Sequence, residues 1–363
     1  MSTLRASILV AIAACGQSTQ GGNPGMDSGH PTDGPTSDST RTGDGSVQPS
    51  TGVSIIVEPD GSHTNPVAAA ITAATTSVYM TMYEIDDSNV LDALVARKTG
   101  GLDVKVILDS STTNKSSNTP AFNQLKNAGV GVVWSSSVFT FTHEKTVMID
   151  GTTAWIMTMN ANVSSPYDNR EYLAVDTNAA DVAEATAVFN ADFAMQTITP
   201  SGALVVADTN ARPKLFALIG SATKSVDLEV EEFSDADSNG IVDALVQAAN
   251  RGVKVRVVIG NESLGSSQTS ANSAVTHAGG SVVMTGPSSG NGTTSKPYIH
   301  GKAIAIDCNG TTTACTTGWV GSENMSANSL SHNRELGVIF AEPSEIAKVE
   351  TAFNTDFAAG VAK

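Results

Sequence analysis

Short apolar runs alternate along the chain with segments in which apolar residues recur at helical spacing, and the alternation occurs twice. In the first half the apolar runs predict strands at 54–58, 77–83, 103–108 and 130–134, and helical periodicity predicts helices near 66–75, 89–98 and 119–128. Asn65 followed by Pro66 suits a helix start, because proline lacks an N–H that the first turn would leave unpaired. The second half repeats the order, with Pro213 opening a helix and Gly252 following one. Each half closes on an alanine-rich amphipathic segment, near 180–194 and 343–358. Helices that alternate with apolar strands predict an α/β layered fold.

The repetition extends to residue identities. Ser77-Val78 with Glu84 pairs with Ser225-Val226 and Glu232, and Asn89-Val90-Leu91-Asp92-Ala93-Leu94-Val95 resembles Gly240-Ile241-Val242-Asp243-Ala244-Leu245-Val246. Leu102 to Leu108 resembles Val253 to Ile259, Asn169-Arg170-Glu171 pairs with Asn333-Arg334-Glu335, and Phe189-Asn190-Ala191-Asp192-Phe193 pairs with Phe353-Asn354-Thr355-Asp356-Phe357. His143-Glu144-Lys145 followed by Asp150, and His300-Gly301-Lys302 followed by Asp307, both read H-x-K-x4-D and stand 157 residues apart (300 − 143). The Asn-Arg-Glu pair is 164 apart (333 − 169), so seven extra residues lie between the second motif and Asn333. Cys308-Asn309-Gly310 through Cys315 sits there, and its Asn-Gly predicts an extended hairpin.

Of six histidines, only His143 and His300 carry Lys at +2 and Asp at +7. Residues i and i+2 of a strand share a face, so each His projects with its Lys, ahead of the mostly apolar runs Thr146–Ile149 and Ala303–Ile306. Cleaving a phosphodiester takes a nucleophile, a proton donor for the leaving oxygen, and cations for the other phosphoryl oxygens. Two imidazoles and two ammonium groups in one pocket supply all of these.

With these motifs the chain resembles the phospholipase D superfamily over about residues 53–363. The resemblance implies two homologous α/β lobes, 53–199 and 200–363, with the active site at their interface. It implies a phosphodiesterase that needs no metal or cofactor and works through a phosphohistidine. It assigns His143, Lys145, Asp150, His300, Lys302 and Asp307 to catalysis, with His143 as nucleophile and His300 as acid and base. Glu171 and Glu335 match the acids that orient the histidines across the site. Gly321-Ser322-Glu323-Asn324 fully matches the family's Gly-Ser-x-Asn, whereas the first half has Met157-Thr158-Met159-Asn160. The match makes Thr158, Asn160, Ser322 and Asn324 substrate-binding residues, with Met157 narrowing the approach to the phosphate. Arg170 and Arg334 read as structural ion-pair residues between elements. Trp134, Phe139, Phe141 and Tyr298 precede the motifs and suit either a substrate pocket or core packing.

Arg5, the apolar run Ile8–Ala14 and Ile12-Ala13-Ala14-Cys15 predict a lipoprotein-type signal over 1–15 that ends in a lipidated Cys15. Residues 16–52 are rich in Gly, Ser, Thr, Pro and Asp and predict a disordered linker. Together these predict a protein anchored by lipid in a bacterial cell envelope. Export permits a disulfide between Cys308 and Cys315. No second apolar segment follows Cys15, which counts against an integral membrane synthase. The net charge of −16 is unfavourable for non-specific nucleic-acid binding, though not for one phosphodiester in a local basic pocket. The expected function is hydrolysis of phospholipid phosphodiesters by a monomer, with a nuclease of the same superfamily and a non-catalytic surface binding protein as alternatives.

Overall fold

In the computed structural model, residues 47–62, 64–234, 240–261, 265–288 and 290–363 are described. Cys15 and most of the expected linker lie outside them. The linker was expected to run through residue 52, but Val47 already packs against the apolar core and Ser50 N–H donates to Ile339 O at 2.7 Å. The physical reason is that Ser50 meets the edge backbone beside Phe340, and its hydroxyl is bonded to Asp181.

The first half contains β1 (Val53–Glu58), α1 (Pro66–Ala73), β2 (Ser77–Met82), α2 (Ser88–Thr99), β3 (Asp103–Leu108), α3 (Lys115–Asn127) and β4 (Gly131–Trp134). It continues with β5 (Lys145–Ile149), β6 (Thr153–Met157), α4 (Ser165–Asp168), β7 (Asn169–Asp176) and α5 (Ala179–Phe193). The second half contains β8 (Val205–Val206), α6 (Ala211–Gly220), β9 (Ser225–Val230), α7 (Ile241–Asn250), β10 (Lys254–Gly260), α8 (Ser266–His277) and β11 (Ser281–Thr285). It ends with β12 (Tyr298–Ile299), β13 (Ala303–Ile306), β14 (Thr317–Gly321), α9 (Ala327–Ser331), β15 (Leu336–Phe340), α10 (Pro343–Ala359) and β16 (Val361–Ala362).

Local chemistry sets several of these boundaries. Asn65 Oδ1 accepts the N–H groups of Val67 and Ala68 and starts α1 at Pro66. Asp87 caps α2 through Asn89 N–H, and Asn178 caps α5 through Ala180 N–H. α3 begins four residues before the expected 119 and carries Pro120 inside it. Its first turns are held by buried Asn118, which accepts Ile85 N–H and donates to Tyr83 O.

The two sheets have one topology. The first runs β4-β3-β2-β5-β6-β7-β1, and the second runs β11-β10-β9-β13-β14-β15-β8 with β16 added beside β11. In both, the strand that follows a motif histidine lies antiparallel to the strand that opens the βαβ unit: β5 beside β2, and β13 beside β9. α5 and α10 contribute to an apolar core shared by both halves, with Val182, Phe189, Ile346 and Val349 beside Ile156, Ala174, Ala305 and Val338. Each half also has a core of its own. The β13–β14 connection is the longer one, 307–316 against 150–152, which accounts for the seven extra residues. Asn309 and Gly310 both have positive φ, 52° and 75°, as a tight Asn-Gly turn requires. A disulfide joins Cys308 to Cys315 across it. Among the described residues no helix is long and apolar enough to cross a membrane.

The halves are stitched by reciprocal pairing just ahead of each motif histidine. β12 runs parallel to β7, with Tyr298 opposite Asn169 and Ile299 opposite Arg170. Thr142 pairs with Arg334 in the same sense. His300 N–H donates to Arg170 O, and Glu144 N–H donates to Arg334 O. Each histidine is thus laid against the segment that carries the other half's glutamate.

Candidate active site

That pairing fixes the central geometry. His143 Nδ1 lies 2.7 Å from Glu335 Oε2, and His300 Nδ1 lies 2.7 Å from Glu171 Oε1. Both pairs cross between the halves. A carboxylate on Nδ1 holds the Nδ1–H tautomer and turns Nε2 to the reaction. Each glutamate is fully buried and is itself held. Ser329 Oγ and Asn333 Nδ2 donate to Glu335 Oε1 at 2.6 and 2.9 Å. Thr158 Oγ1 and Asn169 Nδ2 donate to Glu171.

The i, i+2 relation places each lysine beside its histidine. Lys145 Nζ donates to His143 O, and Lys302 Nζ to His300 O, both at 2.6 Å. Both lysines are wholly buried. Burial, reinforced by the charge of Lys302 and opposed by Glu335 and Glu231, lowers the Lys145 ammonium to about 7. Burial also lowers the His143 pKa; the Lys145 and Lys302 cations add to this, against the pull of Glu335. Lys302 therefore acts on both first-half groups, as one shared site requires.

The duplication is not exact at this site. His300 has carboxylates on both nitrogens, because Glu231 Oε2 lies 3.5 Å from Nε2. The same oxygen accepts from Lys302 Nζ at 2.8 Å, and Tyr298 OH donates to Glu231 Oε1 at 2.7 Å. In the first half the Tyr83 ring lies edge-on to His143 at 4.6 Å and beneath Lys145 Nζ at 4.7 Å. Neither Tyr83 nor Glu231 was among the residues expected from the sequence. The signal was present: each immediately precedes a member of the repeated Glu84 and Glu232 pair, at the end of a buried strand.

Several expected site residues have other roles. Asp150 and Asp307 directly follow the strands that Lys145 and Ala303 begin, so Asp150 lies roughly 17 Å along the chain direction from its motif's lysine at ~3.3 Å per residue. Asp150 accepts the N–H groups of Thr75, Thr76 and Ser77, and Asp307 those of Thr223, Lys224 and Ser225. These donors outweigh burial and hold both carboxyls below the usual range. The two aspartates pin a turn to the loop before β2 or β9 and take no part in the pocket.

Thr158 and Ser322 are also fully buried. Thr158 braces Glu171 and receives Tyr172 N–H, and Ser322 Oγ receives Leu336 N–H, so neither is open to a substrate oxygen. Each hydroxyl is taken up by a backbone N–H or by Glu171, while Asn160 and Asn324, two residues on, lie beyond the strand ends. The Asn324 amide reaches the pocket, with Nδ2 3.4 Å from Glu231 Oε2 and Oδ1 accepting Glu232 N–H. Asn160 Oδ1 is buried without a hydrogen-bond partner. Met157 does not narrow the approach: it is 1% exposed within the first half's apolar core.

Arg170 pairs with Asp356 at 2.6 Å, and Arg334 donates to Asp192 at 3.2 Å, each ion pair crossing to the other half's closing helix. Trp134 stacks on Phe122 at 4.3 Å, Phe139 lies under the Arg334 guanidinium at 4.4 Å, and Phe141 meets Tyr83 edge-on at 5.9 Å. Of the four aromatic residues that precede the motifs, Tyr298 is the one bonded to a pocket residue.

Two like lobes that share a pair of His–Glu couples and a pair of buried lysines define a duplicated phosphodiesterase-type fold. The family described as "Cardiolipin synthase, PLD-like domain" matches residues 67–193 and 215–357, and the chain belongs to this phospholipase D-like family. No curated protein sequence matches it significantly. Among solved structures, the phosphatidylserine synthase of Haemophilus influenzae is similar at TM-score 0.61 and 12% identity, covering 86% of this chain and 87% of that one. The polyphosphate kinase of Porphyromonas gingivalis is similar at TM-score 0.63 and 15% identity, covering 83% of this chain and 46% of that one, so this chain spans about half the kinase's length. A phospholipase D family member, Nuc of Salmonella typhimurium, aligns at TM-score 0.37 and 22% identity over 44% of this chain and 97% of that one. Identities this low speak to the fold alone.

Proposed function

We propose that the chain hydrolyses phospholipid phosphodiesters through a phosphohistidine. The observation that carries this reading is the pair of crossed His–Glu couples, each with its Nδ1 committed to a buried carboxylate. His143, kept neutral by burial and by two cations, attacks phosphorus through Nε2. His300, flanked by two carboxylates, gives its Nε2 proton to the departing alcohol oxygen as the P–O bond breaks. Water then adds to phosphorus, its proton passes to His300, and the P–N bond breaks to release a phosphomonoester. Lys145, Lys302, Asn160 and Asn324 take the phosphoryl oxygens in this mechanism. The charge of −16 favours a lipid over a nucleic acid.

The test is a parallel assay of purified protein on phosphatidylcholine, cardiolipin and plasmid DNA, with and without EDTA. Turnover of a lipid that persists in EDTA is expected. Cleavage of DNA alone, or full loss in EDTA restored by added metal, counts against the reading.

We further propose export and anchoring through Cys15, supported by Ile12-Ala13-Ala14-Cys15 and by the Cys308–Cys315 disulfide, a bond of oxidising compartments. In a bacterial host Cys15→Ser is expected to move the protein from the membrane to the soluble fraction with its activity retained. A variant that stays with the membrane refutes the anchor.

A further inference from the structure

Glu231 and Tyr83 occupy equivalent places in the repeat, 148 residues apart (231 − 83), as are Glu84 and Glu232 (232 − 84). The fold therefore does not require a carboxylate there, since the first half places a phenol ring at the same position. In the second half a single oxygen, Glu231 Oε2, rests on three groups: Lys302 Nζ at 2.8 Å, Asn324 Nδ2 at 3.4 Å and His300 Nε2 at 3.5 Å. On the reading above these are the groups that meet a phosphoryl oxygen and the leaving group. The other oxygen is tied to Tyr298 OH at 2.7 Å, which keeps the carboxylate beside the pocket when a ligand takes over Lys302. The Glu231 side chain is 17% exposed, whereas the Lys302 side chain bonded to it is wholly buried.

We propose that Glu231 is a specificity-determining residue: a resident anion in the phosphate subsite that admits singly charged phosphodiesters and disfavours doubly charged phosphomonoesters and inorganic phosphate. The proposal rests on the phosphodiesterase reading of the same site. Charge balance carries it. Lys302 and a protonated His300 are already matched by Glu171 and Glu231. Lys145 is faced by Glu335 and Glu231, so the site holds no unmatched cation, and each further negative charge on a ligand meets Glu231 at close range among buried groups. The lowered Glu231 pKa, set by Lys302 and His300 against burial, keeps that carboxylate charged. Hydrolysis turns a bound monoanion into a dianion, so the same repulsion that excludes a phosphomonoester from entering also drives the product out. Tyr83 gives the first half no such repulsion, which divides the labour: the first half binds and attacks, and the second protonates and expels.

The experiment is a phosphorus-NMR titration of the full chain with inorganic phosphate and with dimethyl phosphate, comparing wild type, Glu231→Gln and Glu231→Tyr. The tyrosine variant restores the side chain already accommodated in the first half. Inorganic phosphate is expected to bind about tenfold or more tightly to either variant, with a clearly smaller gain for dimethyl phosphate. In wild type, phosphate affinity is expected to rise as pH falls and the ligand becomes a monoanion. Unchanged or weaker phosphate binding in both variants overturns the proposal, as does an equal gain for the two ligands. If neither variant folds, the wild-type titration decides: tighter binding of the dianion than of the monoanion overturns it. Binding is read without turnover, so a failed hydrolase assay and a failed Glu231 proposal give separate results.

Discussion

Replacing either motif histidine by alanine is expected to lower kcat/KM on a phosphodiester by on the order of 10⁴-fold. The two imidazoles belong to different steps and cannot stand in for one another, because each is bound to a different glutamate from the opposite half. For the same reason the double variant should be little worse than either single one. The fold should survive: Glu335 keeps Ser329 and Asn333 as donors without His143, and Glu171 keeps Thr158 and Asn169 without His300. Asp150→Asn makes the contrasting control. It weakens the charged acceptor for Thr75, Thr76 and Ser77, far along the strand from the pocket, and should cost on the order of 2 kcal/mol of stability with turnover largely kept. Its folded pKa is depressed, so the wild-type contribution is present above the unfolded carboxyl pKa of about 4 and fades as pH falls below it. Initial rates and thermal unfolding of the four variants check this. A histidine variant with near wild-type turnover would sink the shared two-histidine site.

Much of this arrangement was legible in the sequence, because duplication gives each position a second reading. The paired offsets located the extra hairpin, and the apolar runs gave the strands that the two sheets share in order. The motif spacing placed His and Lys on one face, as found for Lys145 and Lys302. The aspartates were misread because a motif is written along the chain, whereas a strand carries its far end out of the pocket. Thr158 and Ser322 were misread because their hydroxyls are taken up inside the fold, by Glu171 and by the N–H groups of Tyr172 and Leu336, partners that a motif's spacing does not show. Glu231 escaped because the comparison of halves weighed what recurs, while the asymmetry lies where the two copies differ. Ser329 escaped because it braces Glu335 from a short helix of no distinctive pattern.

That asymmetry sets the second large effect. The pH profile of kcat/KM should be bell-shaped, since one imidazole must be neutral to attack and the other protonated to donate, with apparent pKa values that belong to the coupled pair. Glu335→Gln and Glu171→Gln should each lower the maximum by roughly 10²-fold or more, because the imidazole loses its anionic partner while the amide oxygen still accepts Nδ1–H. The limbs should respond differently. Glu335 contacts the nucleophile and favours its charged form, so its loss lowers the His143 pKa further and moves the acid limb to lower pH. Glu171 favours the imidazolium of the proton donor, so its loss moves the alkaline limb to lower pH. One variant therefore widens the bell and the other narrows it. Exchanged roles for the histidines would exchange the two outcomes, so measuring both limbs in wild type and both variants assigns the nucleophile. Limbs that stay fixed in either variant would leave that glutamate a purely structural residue.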